Sequence, residues 1–137
     1  MQYRRFGKTN LFLSIFSLGT MRYLTTPKNA YDTINATISH GINHLETARG
    51  YGQSEEFLGR AFAAGLPVPR SQLYITTKIP PTEDADTMNR YIDESLARLN
   101  VCYIDCLGIH GINTWEHLEL IKNPNGCMQA VWKAIDD

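Results

Sequence analysis

The stretch Gly41-Ile42-Asn43-His44-Leu45-Glu46-Thr47-Ala48-Arg49-Gly50-Tyr51-Gly52, running on into Ser54-Glu55-Glu56-Phe57-Leu58, decides how this chain is read. Gly41 stops a preceding helix, and Ile42 to Leu45 form a short, largely apolar run that reads as a strand. A glycine-punctuated loop follows. Ser54 is then placed to cap a helix whose first turn holds Glu55 and Glu56, suited to the positive end of the helix dipole. Phe57, Leu58, Ala61 and Phe62 supply that helix with an inner stripe. Strand, loop and capped amphipathic helix make the repeating unit of a parallel α/β sheet.

The same unit recurs on both sides. Upstream, Tyr3 to Phe6 and Leu11 to Ser14 read as a hairpin around Gly7-Lys8-Thr9-Asn10. A first buried strand lies at Phe16-Ser17-Leu18-Gly19. Thr26 and Pro27 then give an N-cap and first-turn proline to a helix with Tyr31, Ile34 and Ile38 on one face. Downstream, Leu73 to Thr77 is β-branched and aromatic, and Pro80-Pro81 ends it. A long helix from near Thr82 carries Glu83, Asp84 and Asp86 early, shows Met88, Tyr91, Ile92, Ser95, Leu96 and Leu99 on one face, and ends at Asn100. Tyr103 to Ile109 reads as the fourth strand, with Gly108 making room for a neighbour or a ligand. A last helix begins near Gly126, its inner side given to Met128, Val131, Trp132 and Ile135. Four βα units are present, where a closed (β/α)8 barrel has eight. The fold class is therefore α/β, the N-terminal half of such a barrel preceded by a β-hairpin, with residues 1–14 as the hairpin and 16–137 as βα units one to four.

Composition narrows the function classes. A formal net charge of -1 with Lys and Arg scattered among acids gives no basic stripe for nucleic acid. No stretch reads as a membrane segment or secretory signal, so cytoplasmic residence is expected. Cys102, Cys106 and Cys127 form neither a CxxC pair nor a zinc spacing, so buried free thiols are expected and no metal. If Cys102 and Cys106 share a strand, they face the same side. Gly50 and Gly52 begin a GxGxxG pattern, but Glu55 stands where its third glycine belongs, which argues against a Rossmann site.

Four reactive groups fall just beyond predicted strand ends: Glu46, Tyr51 in the loop behind it, Lys78 and His110. In a barrel these ends converge on one mouth. Taken singly, Lys78, Tyr51 and Glu46 have bland readings: a strand-end lysine in solvent, a half-buried tyrosine, a loop acid. Their joint placement is what points to a carboxylate, phenol, ammonium and imidazole in one pocket. His40, His44 and His117 are assigned to capping, packing or surface roles.

Tyr3-Arg4-Arg5-Phe6-Gly7, Leu18-Gly19-Thr20-Met21, the Gly41–Gly52 block with Ser54-Glu55-Glu56, Thr77-Lys78 and Ile109-His110 together resemble the aldo-keto reductases over essentially the whole chain. The resemblance implies an NADPH- or NADH-dependent reduction of a small aldehyde or ketone. Tyr51 would be the general acid, Lys78 would favour its phenolate, Glu46 would orient Lys78, and His110 would hydrogen-bond the substrate carbonyl. It further implies that Gly19, Thr20, Met21 and Glu46 lie beside the nicotinamide ribose, while most adenine and phosphate contacts come from later strands, leaving the cofactor site incomplete. Tyr23 and Trp115 fall in loops at the mouth, as aromatic walls for substrate or as packing residues. The family has aspartate where this chain has Glu46, a change that lengthens the reach by one methylene. Some members carry an iron-sulfur module, and this chain has no such cysteine set. Half a barrel leaves its first and fourth strands as open edges, so the expectation is a piece of a larger barrel, completed by a missing C-terminal half or by self-association. The alternative to an enzyme is a noncatalytic barrel fragment or interaction subunit that has lost cofactor binding.

Overall fold

The structure, a computed structural model, describes residues 1–22 and 25–136. Tyr23 lies outside the described residues. A short antiparallel hairpin comes first, β1 (Tyr3–Arg5) on β2 (Phe12–Ser14). Its turn includes Gly7 at φ 55°, in the left-handed region that glycine enters without a Cβ penalty. Four parallel strands follow in sequential order: β3 (Leu18–Gly19), β4 (His44–Glu46), β5 (Tyr74–Ile79) and β6 (Cys106–Ile109). Between them run α1 (Pro27–Ser39), α2 (Ser54–Ala63) and α3 (Ala85–Leu99), with α4 (Trp115–Lys122) and α5 (Cys127–Asp136) after β6. This is the first half of a (β/α)8 barrel, as the alternation of strand and helix signals predicts.

Strand periodicity sorts the side chains. Along β5, Ile75, Thr77 and Ile79 are buried beneath the helices, while Tyr74, Thr76 and Lys78 stand on the opposite, inward face. The core is thus a layer between sheet and helices. Ala30, Ile34 and Ile38 of α1 and Phe57, Leu58 and Ala61 of α2 pack there on Leu45 and Ile75. Met88 and Ile92 of α3 and Cys127, Ala130 and Val131 of α5 pack around Ile79. The hairpin is tied to the N-terminal end of β4: Asn43 Oδ1 accepts from Ser14 N at 2.8 Å, and the Tyr3 hydroxyl donates to Gly41 O at 2.9 Å.

Helix ends follow local chemistry. Thr26 caps α1 through Asn29 N at 3.1 Å, with Pro27 in the first position. Asn100 closes α3 in the left-handed conformation, φ 52° and ψ 47°. Four expectations need correction. The third helix starts at Ala85, not near Thr82, because the Asp84 carboxylate accepts from Thr87 N at 2.6 Å and so fixes the cap two residues later. That contact also holds the Asp84 carboxyl below its ordinary range. Trp115, placed in a loop by its sequence, opens α4, which spans residues 115–122 and is capped by Thr114 through His117 N at 3.3 Å. On α5, Trp132 and Ile135 are not inward: they are 63% and 66% exposed, and the buried side is Cys127, Ala130 and Val131. The thiols differ too, since Cys102 is exposed, lies outside β6 and shares no strand with Cys106.

Candidate active site

Parallel register brings the reactive groups to one rim. Gly19 lies beside Glu46, Glu46 beside Thr76, and Lys78 beside Gly108, all on the inward face. Hydrogen bonding continues past the strand ends: Thr20 N donates to Glu46 O, Thr47 N to Thr76 O, Arg49 N to Lys78 O and His110 N to Ile79 O, at 2.8–3.0 Å. The residues that follow each strand are therefore held by backbone rather than left in free loops. Tyr51 sits in a tight turn, its amide donating to Ala48 O at 3.0 Å.

Lys78 is the hub. An ammonium has three hydrogens to place, and the Lys78 Nζ meets the Glu46 carboxylate, the Thr47 carbonyl at 3.1 Å and the Tyr51 hydroxyl oxygen at 3.0 Å. Because lysine only donates, Tyr51 accepts in that bond and its own phenolic hydrogen is left for another acceptor. The ammonium also lies 4.7 Å from the centre of the Tyr51 ring. Burial lowers the Lys78 pKa from its ordinary value, while the adjoining Glu46 carboxylate favours the charged form. Two glycines make this packing fit: a Cβ at Gly108 would stand 3.2 Å from Lys78 Cγ, and one at Gly19 would stand 3.3 Å from Glu46 Oε2. The sequence reading of Gly108 as a position that makes room for a neighbour is met by Lys78.

His110 completes the cluster, its ring edge-on to Tyr51 at 5.5 Å between centroids and 83° between planes. All four of Glu46, Tyr51, Lys78 and His110 therefore come together, half-buried, at the C-terminal ends of the strands. Of the residues tied to the cofactor, Gly19 adjoins Glu46 and Met21 is 53% exposed beyond it. Thr20 is 1% exposed, and its hydroxyl turns to Glu46 O and Ser54. Trp115 opens α4 and is 76% exposed. A groove of about 960 Å³ lies away from this cluster, between α3, α5 and the start of β6.

The histidines outside the cluster have structural partners. His40 caps α1 through Ala36 O at 2.7 Å, and His117 bonds Gly111 O at 2.9 Å. His44 sits one step below Glu46 on the inward face, between the Ser17 hydroxyl at 2.7 Å and the Thr76 hydroxyl at 2.8 Å. Burial lowers its pKa, opposed by the Asp105 carboxylate.

Sequence reasoning missed a polar layer behind the rim. Ser54 does not cap α2. It is the first helical residue, and Gln53 holds the cap position with no side-chain bond. Ser54 Oγ instead bonds Thr20 and Thr47 at 2.6 and 2.9 Å. Glu55, read as a dipole-facing acid, is 1% exposed and pairs with Arg98 at 2.7 Å and Thr77 at 2.6 Å. The signal was available: Glu55 falls at helical spacing from Leu58 and Phe62, on the apolar side of α2. Arg49 was missed as well. It stacks 3.9 Å over Tyr91 and bonds Glu94 at 2.5 Å, a contact that holds the Glu94 carboxyl below its usual range.

Comparison with known proteins bears on this arrangement. The aldo/keto reductase family model matches residues 16–137. The 6-dehydroglucose reductase of Novosphingobium aromaticivorans is 33% identical over 132 residues, covering 84% of this chain and 43% of that protein. A probable voltage-gated potassium channel subunit beta of Arabidopsis thaliana is 33% identical over 123 residues, covering 80% and 37%. The holo form of an aldo-keto reductase from Bacillus halodurans superposes with a TM-score of 0.79 at 25% identity, over 97% of this chain and 46% of that one. The chain thus spans less than half the length of these relatives. With the family model matching residues 16–137, nearly the whole chain, the chain belongs to the aldo/keto reductase family.

Proposed function

We propose that this chain carries the proton-donating half of an NADPH- or NADH-dependent carbonyl reductase acting on small aldehydes or ketones in the cytoplasm. The observation that carries the reading is the saturated Lys78 ammonium, whose third hydrogen bond falls on the Tyr51 oxygen at 3.0 Å. The donor set suits a nicotinamide partner, since it supplies an acid and a carbonyl-binding imidazole but no group able to give a hydride. The nicotinamide, when bound, supplies that hydride.

The protein's part begins with the substrate carbonyl oxygen received between Tyr51 and His110. As the carbonyl carbon gains the hydride, its π electrons move to oxygen, and the Tyr51 O–H bond breaks to protonate that oxygen. The bonding pair remains on the phenol oxygen as phenolate, opposite the Lys78 ammonium already in place. Glu46 and the Thr47 carbonyl hold the ammonium, so little reorganisation accompanies the charge change. Gly19, Thr20 and Met21 are proposed to border the nicotinamide ribose, with the Thr20 contribution coming from its backbone. Trp115, and Tyr23 outside the described residues, are proposed substrate contacts. The remaining cofactor contacts are assigned to barrel strands beyond these four.

A second reading has its own support: Glu46 replaces the family's aspartate, and one relative bears the name of a channel subunit. On this reading the chain is an interaction subunit without turnover. NADPH titration of the intact protein, followed by Trp115 and Trp132 fluorescence, separates the two. Saturable quenching together with aldehyde-dependent NADPH oxidation is expected. Absence of both would replace the enzyme reading with the second.

A further inference from the structure

The first turn of α2 reaches the rim from behind, through side chains buried from solvent. Thr20, Thr47, Ser54, Glu55 and Thr77 are each 5% exposed or less. Their hydrogens can be followed one by one. The Thr20 hydroxyl donates to Glu46 O at 3.0 Å, and the Ser54 hydroxyl donates to Thr20 Oγ1 at 2.6 Å. Each hydroxyl has one hydrogen, so Thr47 must be the donor to Ser54 Oγ at 2.9 Å. The relay therefore starts on the residue whose carbonyl holds Lys78 and ends on the carbonyl of Glu46, the carboxylate that faces Lys78.

A second arm acts on Lys78 itself. The Thr77 hydroxyl donates to Glu55 Oε1 at 2.6 Å, and Glu55 Oε2 accepts from Arg98 at 2.7 Å. Both carboxylate oxygens are used, joining α3, α2 and β5. Thr77 faces the helices and Lys78 the rim, so fixing the Thr77 side chain fixes the direction in which Lys78 leaves the strand. A buried carboxylate–guanidinium pair is weak support for stability by itself, because desolvation offsets its attraction. Its aim at Thr77 is what gives it a role.

We infer that Ser54 and Glu55 are positioning residues, which act through Thr20, Thr47 and Thr77 to set the Lys78 ammonium against Tyr51. The kinetic consequence rests on the reductase reading above; the geometric one does not. The test uses the intact protein labelled with 15N-lysine, with the Lys78 signal assigned by its loss in Lys78→Met. Thr77→Val removes the hydroxyl and keeps the shape. It should speed exchange of the Lys78 ammonium hydrogens with water by about threefold or more, and lower kcat about tenfold with KM within about twofold, because small misplacements at a reacting centre are costly. Thr77→Ser should restore both. Should Thr77→Val not fold, Ser54→Ala breaks the other arm and should move the Lys78 signal in the same direction. Wild-type exchange in a folded Thr77→Val or Ser54→Ala protein would overturn the inference, as would failure of Thr77→Ser to restore it. If the wild type reduces no carbonyl, the reductase reading falls, and Lys78 exchange alone still supports or overturns the positioning role.

Discussion

At the residue scale, the site is one ammonium with its three hydrogens placed, and each partner makes a separate demand. The Glu46 side chain carries one methylene more than the family's aspartate, and the rim tolerates only about 0.5 Å of misplacement. Glu46→Asp in the intact protein should therefore raise kcat, on the order of tenfold or about 1.4 kcal/mol of barrier. Steady-state kinetics showing an unchanged or lower rate would contradict the role given to Glu46. Two protons bear on the alkaline side of the proposed reaction, that of the Tyr51 phenol, which the acid must keep, and that of the Lys78 ammonium. Burial lowers its folded pKa, so its proton is lost at a pH below the ordinary lysine value of about 10.4. Across that interval the unfolded chain binds the extra proton, so the folding penalty from Lys78 is present at lower pH and fades as pH rises. Activity runs the other way, since the ammonium disappears. A kcat–pH profile should fall in that window, and Lys78→Arg, whose guanidinium stays charged throughout it, should leave only the fall due to the Tyr51 phenol, changing the limb's steepness while lowering the plateau. A limb identical in position and steepness in Lys78→Arg would remove Lys78 from it.

At the element scale, helix α2 is the part on which the rim depends. It approaches α3 so closely at Gly59 that a Cβ would stand 2.0 Å from the Arg98 carbonyl. No rotamer change relieves a backbone clash, so Gly59→Ala must separate the helices. The expected cost is about 2–3 kcal/mol, at the upper end for overpacking, read as a lowered urea midpoint with an unchanged slope. Wild-type stability would mean that the helices are not held at this distance. Elements of this kind show what a sequence does and does not reveal. Leu73 to Thr77 announced β5 because a β-branched run bounded by prolines has few other conformations. Thr26-Pro27 and Asn100 announced the ends of α1 and α3 because their chemistry is local. Ser54 carried the same cap chemistry yet spends its hydroxyl on Thr20 and Thr47, partners supplied by distant strands. On α5 the apolar stripe was legible, but which half of it meets a neighbour depends on α3. Trp132 and Ile135 consequently point outward. The short α4 lacked a long periodic pattern, and its Thr114 cap was the one local sign.

At the scale of the whole molecule, four strands of a fold that closes with eight leave two flanks open. Phe12, Ile15, Phe16 and Met21 are exposed on and around β2 and β3, and Tyr103, Trp132 and Ile135 around β6 and α5. Among the described residues, no helix is long and apolar enough to cross a membrane. What the four strands do bring together is Glu46, Tyr51, Lys78 and His110 on one side, as the rule that parallel strands deliver their C-terminal ends to the same rim predicts. The chemistry proposed for that rim rests on the phenol. The most direct measurement is single-turnover reduction of an aldehyde by the intact protein and NADPH, wild type beside Tyr51→Phe. Loss of the general acid should slow the reaction by about 10²–10⁴-fold, with NADPH affinity within about twofold. A Tyr51→Phe protein that reduces the aldehyde as fast as wild type would contradict the account.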